Sequence, residues 1–198
     1  MRLFCLDLEG VLVPEIWIQT AKRFKMDSLK LTTRDIPDYD KLMKYRIRIL
    51  KKAGIRLKDI QKVIATMQPL PGAQNFLDQL RQEGPVIILS DTFVEFAAPL
   101  MEKLGQPVLL CNHLVVDKKG FIAGYKLRMK DGKRKAVEAF RKLNFEVCAA
   151  GDSYNDITML KAARRGVLFR PPKSIRKKFR RFPAVNQQSA LLQLLIKT

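Results

Sequence analysis

Short apolar runs alternate with longer amphipathic stretches along most of this chain. Leu3 to Leu6, Val86 to Leu89, Val108 to Leu110 and Val147 to Ala150 are continuous apolar blocks, each running into polar or glycine residues and then into helical periodicity. Blocks of this length without internal alternation fit strands covered on both faces. Val167 to Phe169 is a candidate fifth strand. Strands alternating with helices predict an α/β fold with a doubly wound parallel sheet. Val115-Val116 and Phe121-Ile122, around the turn Asp117-Lys-Lys-Gly120, predict a short β-hairpin.

The interval between the first two strands breaks the rhythm. Residues 14–70 carry no strand pattern, but Ile47, Leu50, Ile55, Ile60, Val63 and Ile64 fall at helical spacing, interrupted at Gly54. A parallel crossover needs only about a dozen residues. The stretch is therefore expected to be a small helical insert over the mouth of the sheet. Residues 1–13 and 71–198 would form the α/β core, re-entered at Pro69-Leu-Pro71-Gly72.

In doubly wound sheets ligands collect outside the carboxyl ends of the strands, and Asp7, Ser90 and Asp152 each lie just past an apolar block. Asp7 has Glu9 two residues on, Ser90 opens Ser-Asp91-Thr-Phe, and Asp152 lies in Gly-Asp-Ser-Tyr-Asn155-Asp156. Taken singly, each is explained by a helix cap or a solvated turn. A hydroxyl and free N–H groups at a helix start after Ser90 would suit an anion. Carboxylates converging on one edge suggest an all-oxygen site for Mg²⁺. Lys133, just upstream of the fourth strand, would be a compact positive charge for a phosphoryl group.

Together, in this order, these segments resemble the haloacid dehalogenase superfamily: an Asp-x-Asp-like motif, a Ser after the second strand, a Lys, then Gly-Asp-x-x-x-Asp. More narrowly, D-L-E-G-V-L-V-P-E, L-S-D-T-F and A-A-G-D-S-Y-N-D are similar to phosphoserine phosphatases, including the bifunctional phosphoserine phosphatase/homoserine phosphotransferases. The likeness extends to Thr33–Tyr39 and thins in the last fifth of the chain. The resemblance implies Asp7 as nucleophile and Glu9 as general acid and base. It also implies Mg²⁺ on Asp7, the Glu9 carbonyl and Asp152, ordered by Asp156. Ser90, the Asp91 N–H and Lys133 would hold phosphate, and Asn155 would touch phosphate or substrate; Glu15 and Arg46 would hold the ammonium and carboxylate of a phosphoserine-like substrate. Most of the superfamily has Asp where Glu9 stands. A carboxylate meeting a phosphate dianion at ~4 Å is repelled by about 8 kcal/mol at an effective dielectric near 20, which makes a cation and Lys133 necessary. Homoserine is a second expected acceptor besides water.

Composition narrows the alternatives. Hydrophobic residues make up 47% of the 198, which excludes the disordered class. Cys5, Cys111 and Cys148 are widely spaced, Cys5 and Cys148 fit buried free thiols, and His113 lacks a ligand cluster, so neither a disulfide framework nor a zinc site is expected. With no secretory leader or span, a cytoplasmic protein with no membrane partner is expected. No G-x-x-x-x-G-K-S/T is present, which excludes a P-loop kinase. Still open are another small phosphomonoester, a nucleic-acid phosphate end, and a phosphorylation receiver domain. The net charge of +19 is uneven: residues 157–198 hold eleven Lys and Arg and no Asp or Glu. Nucleic acid is not required as a partner, though such a segment could bind it non-specifically.

Overall fold

The computed structural model describes residues 1–32, 35–36 and 38–197. Thr33, Arg34 and Pro37, within the segment whose likeness was noted, fall outside the described residues. Seven strands form one sheet: β1 (Arg2–Leu6), β2 (Val86–Phe93), β3 (Val108–Val116), β4 (Ile122–Lys126), β5 (Glu146–Gly151), β6 (Arg165–Phe169) and β7 (Ala184–Val185). Their order is β4-β3-β2-β1-β5-β6-β7, parallel throughout except the antiparallel β3–β4 edge pair. The expected α/β doubly wound sheet is present.

Alternation along the strands explains the two layers. Phe4 and Leu6 of β1, Ile88 of β2, and Cys148 and Ala150 of β5 join one apolar cluster. Leu3 and Cys5, Leu89, and Val147 and Ala149 join the other. Neighbouring residues on a strand point to opposite faces, so both faces must be covered. The first face packs against α4 (Ala73–Glu83), α5 (Val94–Lys103) and α9 (Gln188–Ile196). The second packs against α6 (Gly132–Lys142), α7 (Ile157–Ala162) and α8 (Lys173–Lys178). All three cysteines are buried and free, as the reading of Cys5 and Cys148 anticipated.

Between β1 and β2 the chain forms α1 (Ile16–Phe24), a 3₁₀ turn (Asp27–Lys30), α2 (Tyr39–Lys52) and α3 (Leu57–Thr66), with no named strand among the described residues. Gly54, at φ 70°, turns the chain just past α2, where glycine is not strained. Apolar residues of this stretch, from Trp17 and Ala21 to Met43, Leu50, Ile60 and Ile64, belong to the first cluster.

Three local expectations need correction. The second strand does not stop at Ser90: it continues through Phe93 after a register shift between Leu89 and Phe93, and α5 starts only at Val94. Burial of Thr92 and Phe93, both favourable in strands, outweighs the turn character of Ser-Asp. The predicted hairpin is present as the antiparallel β3–β4 pair, but its first arm, Val115-Val116, is the end of the same strand that begins at Val108. The sequence pattern also missed the two-residue β7. No helix of the described residues is long and apolar enough to cross a membrane.

Candidate active site

The carboxyl ends of β1, β2 and β5 open into a cavity of about 370 Å³, shared with residues of α1 and α2. Asp7 immediately follows β1, its N–H donating to the Ala150 carbonyl at 2.9 Å and so extending the ladder to β5 by one residue. Its side chain is buried. Asp7 Oδ1 accepts from the Leu8 N–H at 2.8 Å and faces Lys133 Nζ at 2.8 Å.

Lys133 reaches Asp7 from the first turn of α6 and also meets Asp156 Oδ1 at 2.7 Å, with Asp91 at 3.8 Å. Burial opposes its charge, but Asp156, Asp7 and Asp91 outweigh that and hold its pKa well above the usual lysine range. Burial, then Asp156, holds the Asp7 carboxyl well above the ordinary range although Lys133 pulls the other way. Asp156, fully buried, accepts on Oδ2 from the N–H groups of Asp152 and Ser153, both at 3.0 Å, and from the Ser153 hydroxyl at 3.1 Å. These bonds fix the turn that aims Asp152. Burial, then Asp156 and Glu15, pushes Asp152 up to about 7.

Carboxylate oxygens of Asp7, Asp152 and Asp156 lie within 4.8 Å of one another. One lysine does not balance these three acids, and an all-oxygen donor set fits a hard divalent cation. Gly10 backs the cluster: at φ 79°, a Cβ there would fall 2.6 Å from the Asp152 carboxyl carbon. Only glycine lets this loop lie so close.

Glu9 is half-buried in the loop between Leu8 and Val13, and its Oε2 accepts from the Ile16 N–H at 2.8 Å. Burial first, and Glu15 next, pushes it up to about 8 against a hydrogen bond from the Ile16 backbone and one with the Thr92 side chain. Glu15 is exposed, directly before α1. Its place beside Glu9 comes from the short connection between β1 and α1.

Ser90 is buried and accepts from the Thr92 N–H at 3.2 Å. It therefore occupies a strand irregularity, not a helix N-terminus as the sequence suggested. Asn112 Nδ2 and the Tyr39 hydroxyl hold the Asp91 carbonyl at 3.0 and 3.3 Å. Asn155 is exposed and donates to Asp91 Oδ2 at 2.9 Å, so it lines the cavity through that partner.

Arg46 is buried on α2 rather than lying as an ordinary exposed helix charge. Its guanidinium stacks on Trp17 at 4.4 Å to the ring centroid, and Nη2 donates to the Leu31 carbonyl at 2.7 Å. Its Nε is buried and without a partner. Burial pulls it down to about 10, with Tyr39, Glu9 and Glu15 opposing. Arg46 lines the cavity, and a guanidinium there suits an anionic ligand.

The cavity thus brings together Asp7, Glu9, Glu15, Arg46, Ser90, Asp91, Lys133, Asp152 and Asn155, with Asp156 behind them. Sequence reasoning missed Trp17, Tyr39 and Thr92, which also line it. The one signal available was that Trp17 is the chain's single tryptophan, two residues past Glu15.

Residues 1–164 match the model of the haloacid dehalogenase-like hydrolase family. The chain is 55% identical over 197 residues to phosphoserine phosphatase ThrH of Pseudomonas aeruginosa, covering 100% of this chain and 96% of that one. It is 53% identical over 197 residues to a phosphoserine phosphatase of Pseudomonas syringae, covering 100% and 83%. In fold it is similar to a phosphoserine phosphatase solved as a phospho-aspartyl intermediate analogue, with a TM-score of 0.80, 19% identity and 97% of each chain covered. With its strand-end acids and buried lysine in that frame, the chain belongs to the haloacid dehalogenase-like hydrolases.

Proposed function

We propose that this chain is a Mg²⁺-dependent phosphoserine phosphatase that works through an aspartyl-phosphate on Asp7. What carries the proposal is the meeting in one cavity of two chemistries: Asp7 with Lys133 on one side, and the buried, partly unsatisfied Arg46 beside Glu9 and Glu15 on the other. The first suits a phosphoryl group and the second an amino acid's carboxylate and ammonium. The relatives' names point the same way.

In this reading residues 14–70 are a cap that carries specificity, and residues 1–13 with 71–198 are the core that carries chemistry. The Arg46 guanidinium takes the substrate carboxylate and Glu15 its ammonium. Lys133, the Ser90 hydroxyl and the Asp91 N–H take phosphoryl oxygens, with Asn155 steadying Asp91. A Mg²⁺ ion on Asp7, Asp152 and the Glu9 carbonyl, with Asp156 behind, would neutralise phosphoryl charge and lower the repulsion of Asp7. An Asp7 oxygen attacks phosphorus and the bond to the serine oxygen breaks. Glu9, kept protonated by burial and Glu15, gives that oxygen its proton. A water then attacks the acyl-phosphate phosphorus, Glu9 takes the water's proton, and phosphate leaves with Asp7 restored.

Phosphate release should be measured over phosphoserine, phosphothreonine, nucleotides and sugar phosphates. Phosphoserine should lead, and Asp7→Asn should abolish release with circular dichroism unchanged, because an amide cannot form the acyl-phosphate. Turnover by that variant, or a sugar phosphate leading, overturns the reading. Homoserine is the proposed second acceptor: it carries the same ammonium and carboxylate, and the helices over the site could limit water. Phosphorus NMR with phosphoserine and excess homoserine should show phosphohomoserine; inorganic phosphate alone would leave only the phosphatase.

A further inference from the structure

Part of the excess positive charge lines a groove. Lys161 and Arg164 at the end of α7, Arg165 at the start of β6, and Arg181, Phe182 and Lys197 line a second groove of about 540 Å³. Arg164–Glu146, at 2.9 Å, is the one ion pair of these cations among the described residues. Arg165 is spent on structure, donating to the Leu194 carbonyl at 3.0 Å and to that of Lys197. The net charge of +19 lies well above the magnitude of about 2–8 that solubility asks of a small domain.

The groove lies at the amino end of β6, and a chain of contacts links its Phe182 to the active-site cavity. Arg181 lies over Phe182 at 4.8 Å, and the Phe182 N–H donates to the Phe179 carbonyl at 3.1 Å. Phe179 packs edge-on against Tyr154 at 5.9 Å, with Lys178 over Tyr154 at 5.4 Å. Tyr154 is 41% exposed and lines the active-site cavity. Phe179 and Phe182 are half-buried against the second apolar cluster, while Tyr154 is exposed, so rings and cations adjoin on this surface. Single-stranded nucleic acid suits this chemistry, since its backbone seeks the cations and every base has a face to stack. A membrane surface would instead favour long apolar side chains at the rim.

We infer that the groove lined by Lys161, Arg164, Arg181 and Lys197 binds single-stranded nucleic acid, independently of phosphoserine turnover. The test is fluorescence anisotropy of a labelled oligouridylate of about 20 nucleotides at ~150 mM KCl. The wild-type chain should bind with a Kd of about 10 μM or tighter. Replacing Lys161, Arg164, Arg181 and Lys197 by Gln should weaken binding at least about tenfold. It should also flatten the slope of log K against log salt by up to about 3, at about 0.7 for each phosphate no longer neutralised. Circular dichroism should be unchanged. As a charge-matched control, Lys22, Lys51, Lys52 and Lys58, exposed on α1 to α3, are replaced by Gln. Equal weakening by the control set would show net charge rather than a site. Absence of wild-type binding at ~150 mM KCl overturns the inference. So does inorganic polyphosphate of equal charge competing as well as RNA, or tighter binding to phosphatidylglycerol vesicles.

Discussion

Lys133 sits between Asp7 and Asp156 with almost no solvent to share its charge. Breaking a buried ion cluster from one side leaves the remaining charges uncompensated, at about 3–5 kcal/mol. Lys133→Ala should therefore abolish phosphate release and also lower the unfolding free energy by about that amount in urea titrations with chelator present. Inactivity with stability unchanged would mean that the acids relax without their lysine. Gly10 makes a second test. Its φ of 79° and the 2.6 Å approach to Asp152 leave no room for a methyl group. Gly10→Ala should lose about 1–2 kcal/mol from the left-handed backbone alone, and turnover should fall because Asp152 is displaced. Wild-type kinetics from Gly10→Ala would show that Asp152's position is not critical. Asp7 and Asp152 were legible because a strand end is a one-dimensional feature, and Ser90 because it follows the apolar block of a strand that in fact runs on to Phe93. Trp17, Tyr39 and Thr92 were not, since only the fold brings their separated positions to one cavity.

At the scale of elements, the apolar blocks of β1, β2 and β5 revealed the sheet's centre because strands buried on both faces need uninterrupted hydrophobic runs; the block opening β3 was legible although Val108 is 58% exposed. The pattern failed where burial overruled local preference. Ser90-Asp91-Thr92-Phe93 reads as a turn, yet Phe93 is 1% exposed and pairs with Asn112 of β3. Burial of Arg46 was equally hidden, because a charge on an amphipathic helix ordinarily faces water. That burial has a functional consequence. If α2 presents Arg46 to a substrate carboxylate, the charge-assisted bond contributes roughly 1.5–3 kcal/mol. Arg46→Ala should then raise KM for phosphoserine ten- to a hundredfold or more, while KM for phosphoethanolamine, which has no carboxylate, changes little. A parallel rise for both substrates would reduce Arg46 to a packing role on Trp17.

Over the whole molecule, several acids converge at the strand ends, while residues 157–198 hold eleven Lys and Arg and no acid, more than half of the net charge of +19. These two distributions should respond differently to solution conditions. On the proposed reading, chelation would strip the site of Mg²⁺ while leaving the sheet and its two apolar layers untouched. Excess chelator should therefore stop turnover reversibly, Mg²⁺ should restore it, and the far-ultraviolet spectrum should not change. Activity surviving exhaustive chelation would remove the metal from the mechanism.

The basic segment acts at longer range. Neither acid nor histidine occurs in residues 157–198, so the segment has no proton-transfer chemistry of its own. Its field nevertheless extends over about 10 Å at 0.1 M salt and only about 3 Å at 1 M. Phosphoserine is an anion, and attraction before contact belongs to kcat/KM rather than to kcat. Replacing Lys177, Lys178, Arg180 and Arg181 by Gln should thus leave kcat within about twofold. At ~20 mM salt kcat/KM should fall several-fold, and at ~500 mM salt variant and wild type should converge. A salt-independent loss would place one of these side chains in direct contact with substrate. Lys178, beside Tyr154 at the cavity rim, would be the first to test singly.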